Sequence, residues 1–208
     1  MRYSQLVETK STPCVVVDIQ PEYTGINDGS ELPWIDDMMQ FLNRQTGPIL
    51  AFVNAESDGL TADTVSDIRE YWSDSGFTRW NAVTIVDKGY GYFRGWMDGG
   101  IPERFIIATI RLMYSEGVSD SRELFGGEDS DTYREGFARW FAHNSVTFEH
   151  GVLSDPLYIK WTSVAQLKKF DGCYIMGGGR SECLREVELL MNAFNIKYKR
   201  INEFVYGW

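Results

Sequence analysis

The apolar positions along the chain fall into short β-branched runs separated by stretches of helical spacing. Cys14-Val15-Val16-Val17, bounded by Pro13 and Asp18, predicts a buried strand. Ile49 to Val53, Ala82 to Val86 and Cys173 to Met176 read the same way, and Ile196 to Ile201 is a last strand-like segment. Between them apolar residues recur every three or four positions. Trp34, Ile35, Met38, Met39 and Leu42 predict a helix over about 31–44, with Pro33 in its first turn, where proline is tolerated. Further helices are predicted over 61–72, 101–114, 132–142, 163–169 and 181–194, an extended segment over 157–161, and an exposed loop over 116–131, which is rich in Ser, Gly, Asp and Glu.

Strand–helix alternation predicts a parallel sheet covered on both faces. The expectation is one α/β domain over 1–208: a three-layer α-β-α, mainly parallel Rossmann-like sheet, with a helical and loop segment inserted at about 99–160. There is no internal repeat and no low-complexity tract.

Composition narrows the classes. The chain is 43% hydrophobic and 14% aromatic, which argues for a packed core and against disorder. Twenty basic against thirty acidic residues give a net charge of −10, which opposes binding to a phosphate backbone or an anionic lipid surface. No nucleic-acid or membrane partner is therefore expected. No 18-residue apolar run and no signal-peptide core are present, and three scattered cysteines make no disulfide framework, so the expected location is cytoplasmic. With only two histidines, His143 and His150, neither a metal nor another cofactor is expected.

Ligands of open α/β sheets bind beyond the carboxyl ends of the strands. Here the first strand ends in Asp18, the third near Lys88, and a late strand in Gly177-Gly178-Gly179-Arg180-Ser181-Glu182-Cys183. A carboxylate, an ammonium and a thiol are therefore expected to meet at one sheet edge. A thiol in the first turn of a helix feels partial positive charge, and a nearby Lys88 lowers its pKa further. Asp18 can take the thiol proton and return it to a leaving group, while backbone N–H groups of the glycine turn receive an oxyanion. The structural alternatives are plain. Cys183 can be a small buried hydrophobe, like Cys14 and Cys173 in their strands, Asp18 a turn cap and Lys88 a solvated side chain. The triple glycine can cradle a phosphate. Tyr90, Tyr92, Phe93 and Trp96 either wall an apolar pocket or anchor their segment to the core.

These residues resemble the isochorismatase-like cysteine hydrolases, which include nicotinamidases and N-carbamoyl amide hydrolases. The resemblance lies in Val16-Val17-Asp18-Ile19-Gln20, in Lys88 followed by Phe93, and in Cys183 after a glycine turn at a helix start. It implies Asp18 as general base, Lys88 as electrostatic partner, Cys183 as nucleophile, an oxyanion hole at the N–H groups of Gly179 and Cys183, and a cis peptide near Gly178-Gly179. It also implies a small-molecule amide as substrate, a thioester intermediate, and a dimer or tetramer. Gln20, Tyr92, Phe93, Trp96 and Gly178 are the candidate substrate-binding residues. Asn54-Ala55-Glu56-Ser57-Asp58 lacks the histidine of the nicotinamidase metal site, and Arg180-Ser181-Glu182 replaces the threonine or valine usual near the cysteine. The alternatives to a hydrolase are a non-catalytic binding or assembly protein on the same fold, and a phosphate-ligand protein using Gly177 to Gly179.

Overall fold

The computed structural model describes residues 11–23, 32–54, 63–89, 93–125, 135, 136, 139 and 156–206. Five strands form one sheet: β1 (Cys14–Val17), β2 (Ile49–Val53), β3 (Val83–Asp87), β4 (Cys173–Gly177) and β5 (Tyr198–Arg200). All neighbours are parallel, in the order β3-β2-β1-β4-β5. Parallel neighbours need long crossovers, and helices supply them. α1 (Ile35–Arg44) lies between β1 and β2 in the chain, and α2 (Val65–Asp74) between β2 and β3. α3 (Arg94–Asp98), α4 (Glu103–Glu116), α5 (Ser121–Phe125) and α6 (Trp161–Leu167) lie between β3 and β4, and α7 (Cys183–Ala193) between β4 and β5.

The β-branched runs become strands because both of their faces are covered. Every residue of β1, β2 and β4 is buried, whereas the outer strands β3 and β5 are partly exposed. Alternate side chains feed two hydrophobic clusters. Val15, Val17, Leu50, Phe52 and Ile175 join Ile106, Ile110 and Met113 of α4 and Val187 and Leu190 of α7. Cys14, Val16, Ile49, Ala51 and Met176 join Met38, Met39 and Leu42 of α1 and Ile68 and Trp72 of α2. Arg111 of α4 donates to the carbonyl of Ala193 at 2.8 Å, fastening α4 to the carbonyl end of α7. The described part of 99–160 thus shares the core of the sheet.

Element ends differ from the sequence expectation for local reasons. Trp34 occupies the N-cap of α1, so Pro33 lies in the preceding turn and not in the helix. α2 starts at Val65 because Thr64 caps it: the hydroxyl accepts from Ser66 and Asp67 N–H at 3.1 Å, and the Asp67 carboxylate accepts the Thr64 N–H at 2.7 Å. The 116–131 stretch, expected as a loop, contains α5, started by Asp120 accepting the Arg122 N–H at 2.8 Å. The expected extension over 157–161 is reduced to one antiparallel bridge, Asp120 with Tyr158. The expected helix over 132–142 falls mostly outside the described residues, as do His143 and His150. No helix among the described residues is long and apolar enough to cross a membrane.

Candidate active site

The strand order places the carboxyl ends of β1 and β4 side by side. β1 pairs with β2 on one side and β4 on the other, in a register that sets Val17 opposite Gly177. The residues that follow, Asp18 and Gly178, therefore sit at the carboxyl edge where the sheet order changes direction, the usual ligand crevice of such sheets.

The turn after β1 is held from several directions. Asp18 has φ +45°, a left-handed conformation that a non-glycine residue adopts only when its surroundings impose it. Its N–H continues the ladder to the Phe52 carbonyl at 3.1 Å, and Trp72 of α2 donates its indole N–H to the Ile19 carbonyl at 2.8 Å. Gln20 is fully buried. Its amide nitrogen donates to the Asn54 carbonyl at 2.9 Å and to Asp63 Oδ2 at 3.1 Å, while its oxygen accepts the Asn54 N–H at 3.0 Å. Expected as a substrate-binding residue, Gln20 braces the loops after β1 and β2.

Lys88 follows β3 and donates its N–H to the Val53 carbonyl at 2.8 Å. Its side chain crosses the end of β2 and pairs with Asp18 Oδ2. The two side chains are 3% and 0% exposed. Burial works against the ammonium, but Asp18, Cys183 and Glu186 outweigh it and raise the Lys88 pKa. Lys88 is therefore a buried cation and not a solvated side chain. Among the described residues, the other carboxylate oxygen, Asp18 Oδ1, is buried with no hydrogen-bond partner.

The thiol arrives from β4. Gly177 and Gly178 turn the chain with φ +79° and +62°, and a Cβ on Gly178 would stand 3.0 Å from the Leu184 nitrogen. The peptide bonds of the described residues are all trans, so the expected cis bond near Gly178-Gly179 is absent and the two left-handed glycines make the turn. Glu182 and Leu184 donate their N–H groups to the Gly179 carbonyl at 3.1 and 3.2 Å, which delays the helix until Cys183. Cys183 is the first residue of α7 and partly exposed. Glu182, at the N-cap, gives no side-chain cap; its carboxylate pairs with Arg94 at 2.5 Å. Among the described residues no hydrogen bond takes up the N–H of Gly179 or of Cys183.

Burial pushes the Cys183 thiol up to about 12; Lys88 pulls it down, while Asp18 and Glu186 push it up further. Lys88 acts in the expected direction but does not outweigh burial together with Asp18 and Glu186. The resting sulfur is a thiol close to the Asp18 carboxylate. Cys14 and Cys173 lie in the core as their strands predicted, both raised by burial, Cys173 to about 12.

The structure adds residues that the motif did not include. Glu186, one turn beyond Cys183, is 2% exposed and accepts the Phe93 N–H at 2.8 Å. Burial raises its pKa, against the pull of Lys88 and of the Phe93 and Arg94 N–H groups. Tyr206 forms a parallel bridge with Gly179, accepts the Arg180 N–H at 2.9 Å on its carbonyl, and directs its hydroxyl to the Asp18 carbonyl at 3.4 Å. Burial, Asp18 and Cys183 push its phenol up, so it stays protonated beside the triad. Tyr23 also senses Asp18 and Lys88, and its hydroxyl accepts from Asn54 at 3.0 Å. Phe93 and Trp96 are each 1% exposed and pack in the core cluster with α4 and α7. Tyr90 and Tyr92 lie outside the described residues. Among the described residues no group of three His, Cys, Asp or Glu side chains is placed to hold a metal ion.

No family model, no curated protein and no solved structure matches this chain.

Proposed function

We propose that the protein is a cysteine hydrolase of small amide-type carbon–nitrogen bonds, built on an isochorismatase-like three-layer fold. The observation that carries this reading is the buried Asp18–Lys88 pair, whose second carboxylate oxygen has no geometric hydrogen-bond partner among the described residues and whose electrostatic neighbour is the Cys183 thiol. A merely structural ion pair does not need a thiol beside it, nor an orphaned buried acceptor, which costs about 1–3 kcal/mol. The two hydrophobic clusters fed by alternate strand residues support the layering. Three free cysteines suit the reducing cytoplasm.

The chemistry follows from the resting protonation state. Lys88 holds Oδ2 and fixes the carboxylate plane. As sulfur attacks the amide carbon, the thiol proton moves to Asp18 Oδ1, and the carbonyl oxygen becomes an oxyanion facing the N–H groups of Gly179 and Cys183. Collapse of the adduct breaks the carbon–nitrogen bond, and Asp18 returns its proton to the leaving nitrogen. A water, deprotonated by Asp18, then cleaves the thioester to a carboxylic acid and regenerates the thiol. Proton transfer accompanies attack, so the sulfur does not need to be a thiolate at rest.

The test is ammonia release from a panel of small primary amides by wild type, Cys183→Ala and Cys183→Ser. Hydrolysis by wild type and its loss in both variants is expected. An activity that survives Cys183→Ala overturns the mechanism. No turnover of any amide, with a Cys183 that alkylates like an ordinary thiol, favours a binding protein on the same scaffold.

A further inference from the structure

Beside the glycine turn lies a cleft of about 530 Å³, lined by Met97, Ile101, Arg180, Ser181, Arg185 and Arg200, with Asp98 and Glu103 at its wall. Its volume is within the range of small-molecule sites. We infer that this cleft takes a carboxylate borne by the substrate, with Arg180 as its cationic partner, so that the substrates are small amides of acidic compounds. The inference rests on the hydrolase reading and adds the substrate class.

The charges in the cleft are unequal in their occupancy. Arg185 pairs with Glu103 and also reaches the buried Glu188 at 2.9 Å. Arg200 is held by the same Glu188 through both carboxylate oxygens. Asp98 lies 3.5 Å from Arg94. Each wall carboxylate thus has its own cation. The Arg180 side chain, in contrast, is exposed and holds no ion pair or hydrogen bond among the described residues; only its main-chain N–H is engaged, by the Tyr206 carbonyl. A guanidinium presents a planar fork that matches a carboxylate through two parallel hydrogen bonds. Ser181 adds a hydroxyl to the same wall. In a chain of net charge −10, this cation without a carboxylate partner is the feature that selects a small anion over a neutral molecule.

Arg180 and Ser181 line the cleft and stand three and two residues before Cys183, so the cleft adjoins the turn that carries the sulfur. The separation of guanidinium and sulfur sets which amide–acid length fits.

The experiment uses four amide–acids of increasing length (oxamate, malonamate, succinamate and glutaramate) and the uncharged amides propanamide and butanamide. Calorimetric binding is measured on the Cys183→Ala protein with Arg180 intact and with Arg180→Met added; kcat/KM is measured on wild type and on the single Arg180→Met variant. Expected are preferred binding of at least one amide–acid over the uncharged amides, and a loss of about ten- to a hundredfold in that preference in Arg180→Met, the weight of a charge-assisted pair. The kcat/KM ratio of acid to neutral amide should fall by a similar factor, with part of it restored by Arg180→Lys. Equal binding with and without Arg180, or no amide–acid preferred over the uncharged amides, overturns the inference. If binding depends on Arg180 but Cys183→Ala still releases ammonia, or no amide is turned over at all, the cleft stands and the hydrolase reading falls.

Discussion

Asp18 and Lys88, 70 residues apart in the chain, form a buried ion pair across the end of β2, and the Cys183 thiol senses the charges of both. The sheet order explains the meeting. β1 and β4 are neighbours, so Asp18 and the glycine turn before Cys183 leave the same edge. Lys88 comes from the strand two places away, β3, and its long side chain covers the distance.

Removing the cation should be costly. Lys88→Met leaves Asp18 buried without its partner, and the expected loss in urea unfolding is about 3–5 kcal/mol. Adding Asp18→Asn should recover part of it, since the pair is then removed together. A Lys88→Met protein within about 0.5 kcal/mol of wild type would mean that the pair is not buried in solution.

The thiol should respond to its neighbours in a direction that separates acidity from activity. Asp18→Asn removes a negative neighbour and leaves Lys88 unopposed, so the Cys183 pKa should fall below its value of about 12. Iodoacetamide should then alkylate Cys183 faster at pH 9 in Asp18→Asn than in wild type, while amide hydrolysis is lost with the base. If alkylation slows in Asp18→Asn, the carboxylate is not a group that raises the thiol pKa.

Glu186 should impose a pH dependence on stability. Its folded pKa is raised above the ordinary value of 4.5, so the native state holds the proton more tightly than the unfolded chain. The resulting stabilisation is present below pH 4.5 and is lost as the pH rises through the folded value. Urea midpoints of wild type minus Glu186→Gln should therefore decrease from pH 4 towards neutrality. A difference that widens with rising pH would show that burial does not govern this carboxyl.

The strands and the three strand-end residues were legible because each rests on local signals. Val15-Val16-Val17 is β-branched and short, and Asp18, Lys88 and Cys183 each follow an apolar run. α2 was legible to within a few residues from Val65, Ile68 and Trp72. What was not legible depends on contacts between distant segments. Glu186 reads as a polar residue in an apolar helix, and the sequence does not show that the N–H groups at the start of α3 satisfy it. Tyr206 joins the site only because the C-terminal segment pairs with Gly179. The elevated thiol was missed for the same reason: helix position and a nearby lysine predict an acidic thiol, but burial together with Asp18 and Glu186 reverses the outcome. Arg180-Ser181-Glu182, which departs from the family pattern near the cysteine, is divided in the structure between an exposed guanidinium in the cleft and a carboxylate bound to Arg94.

The most direct test of the central claim is mass spectrometry of the protein quenched in acid during turnover of a hydrolysed amide, followed by peptide mapping. The account predicts an acyl adduct on the peptide that contains Cys183, enriched when water attack is slowed and absent from Cys183→Ala. Turnover with no adduct on Cys183, or with the acyl group carried by Cys14 or Cys173, would contradict it.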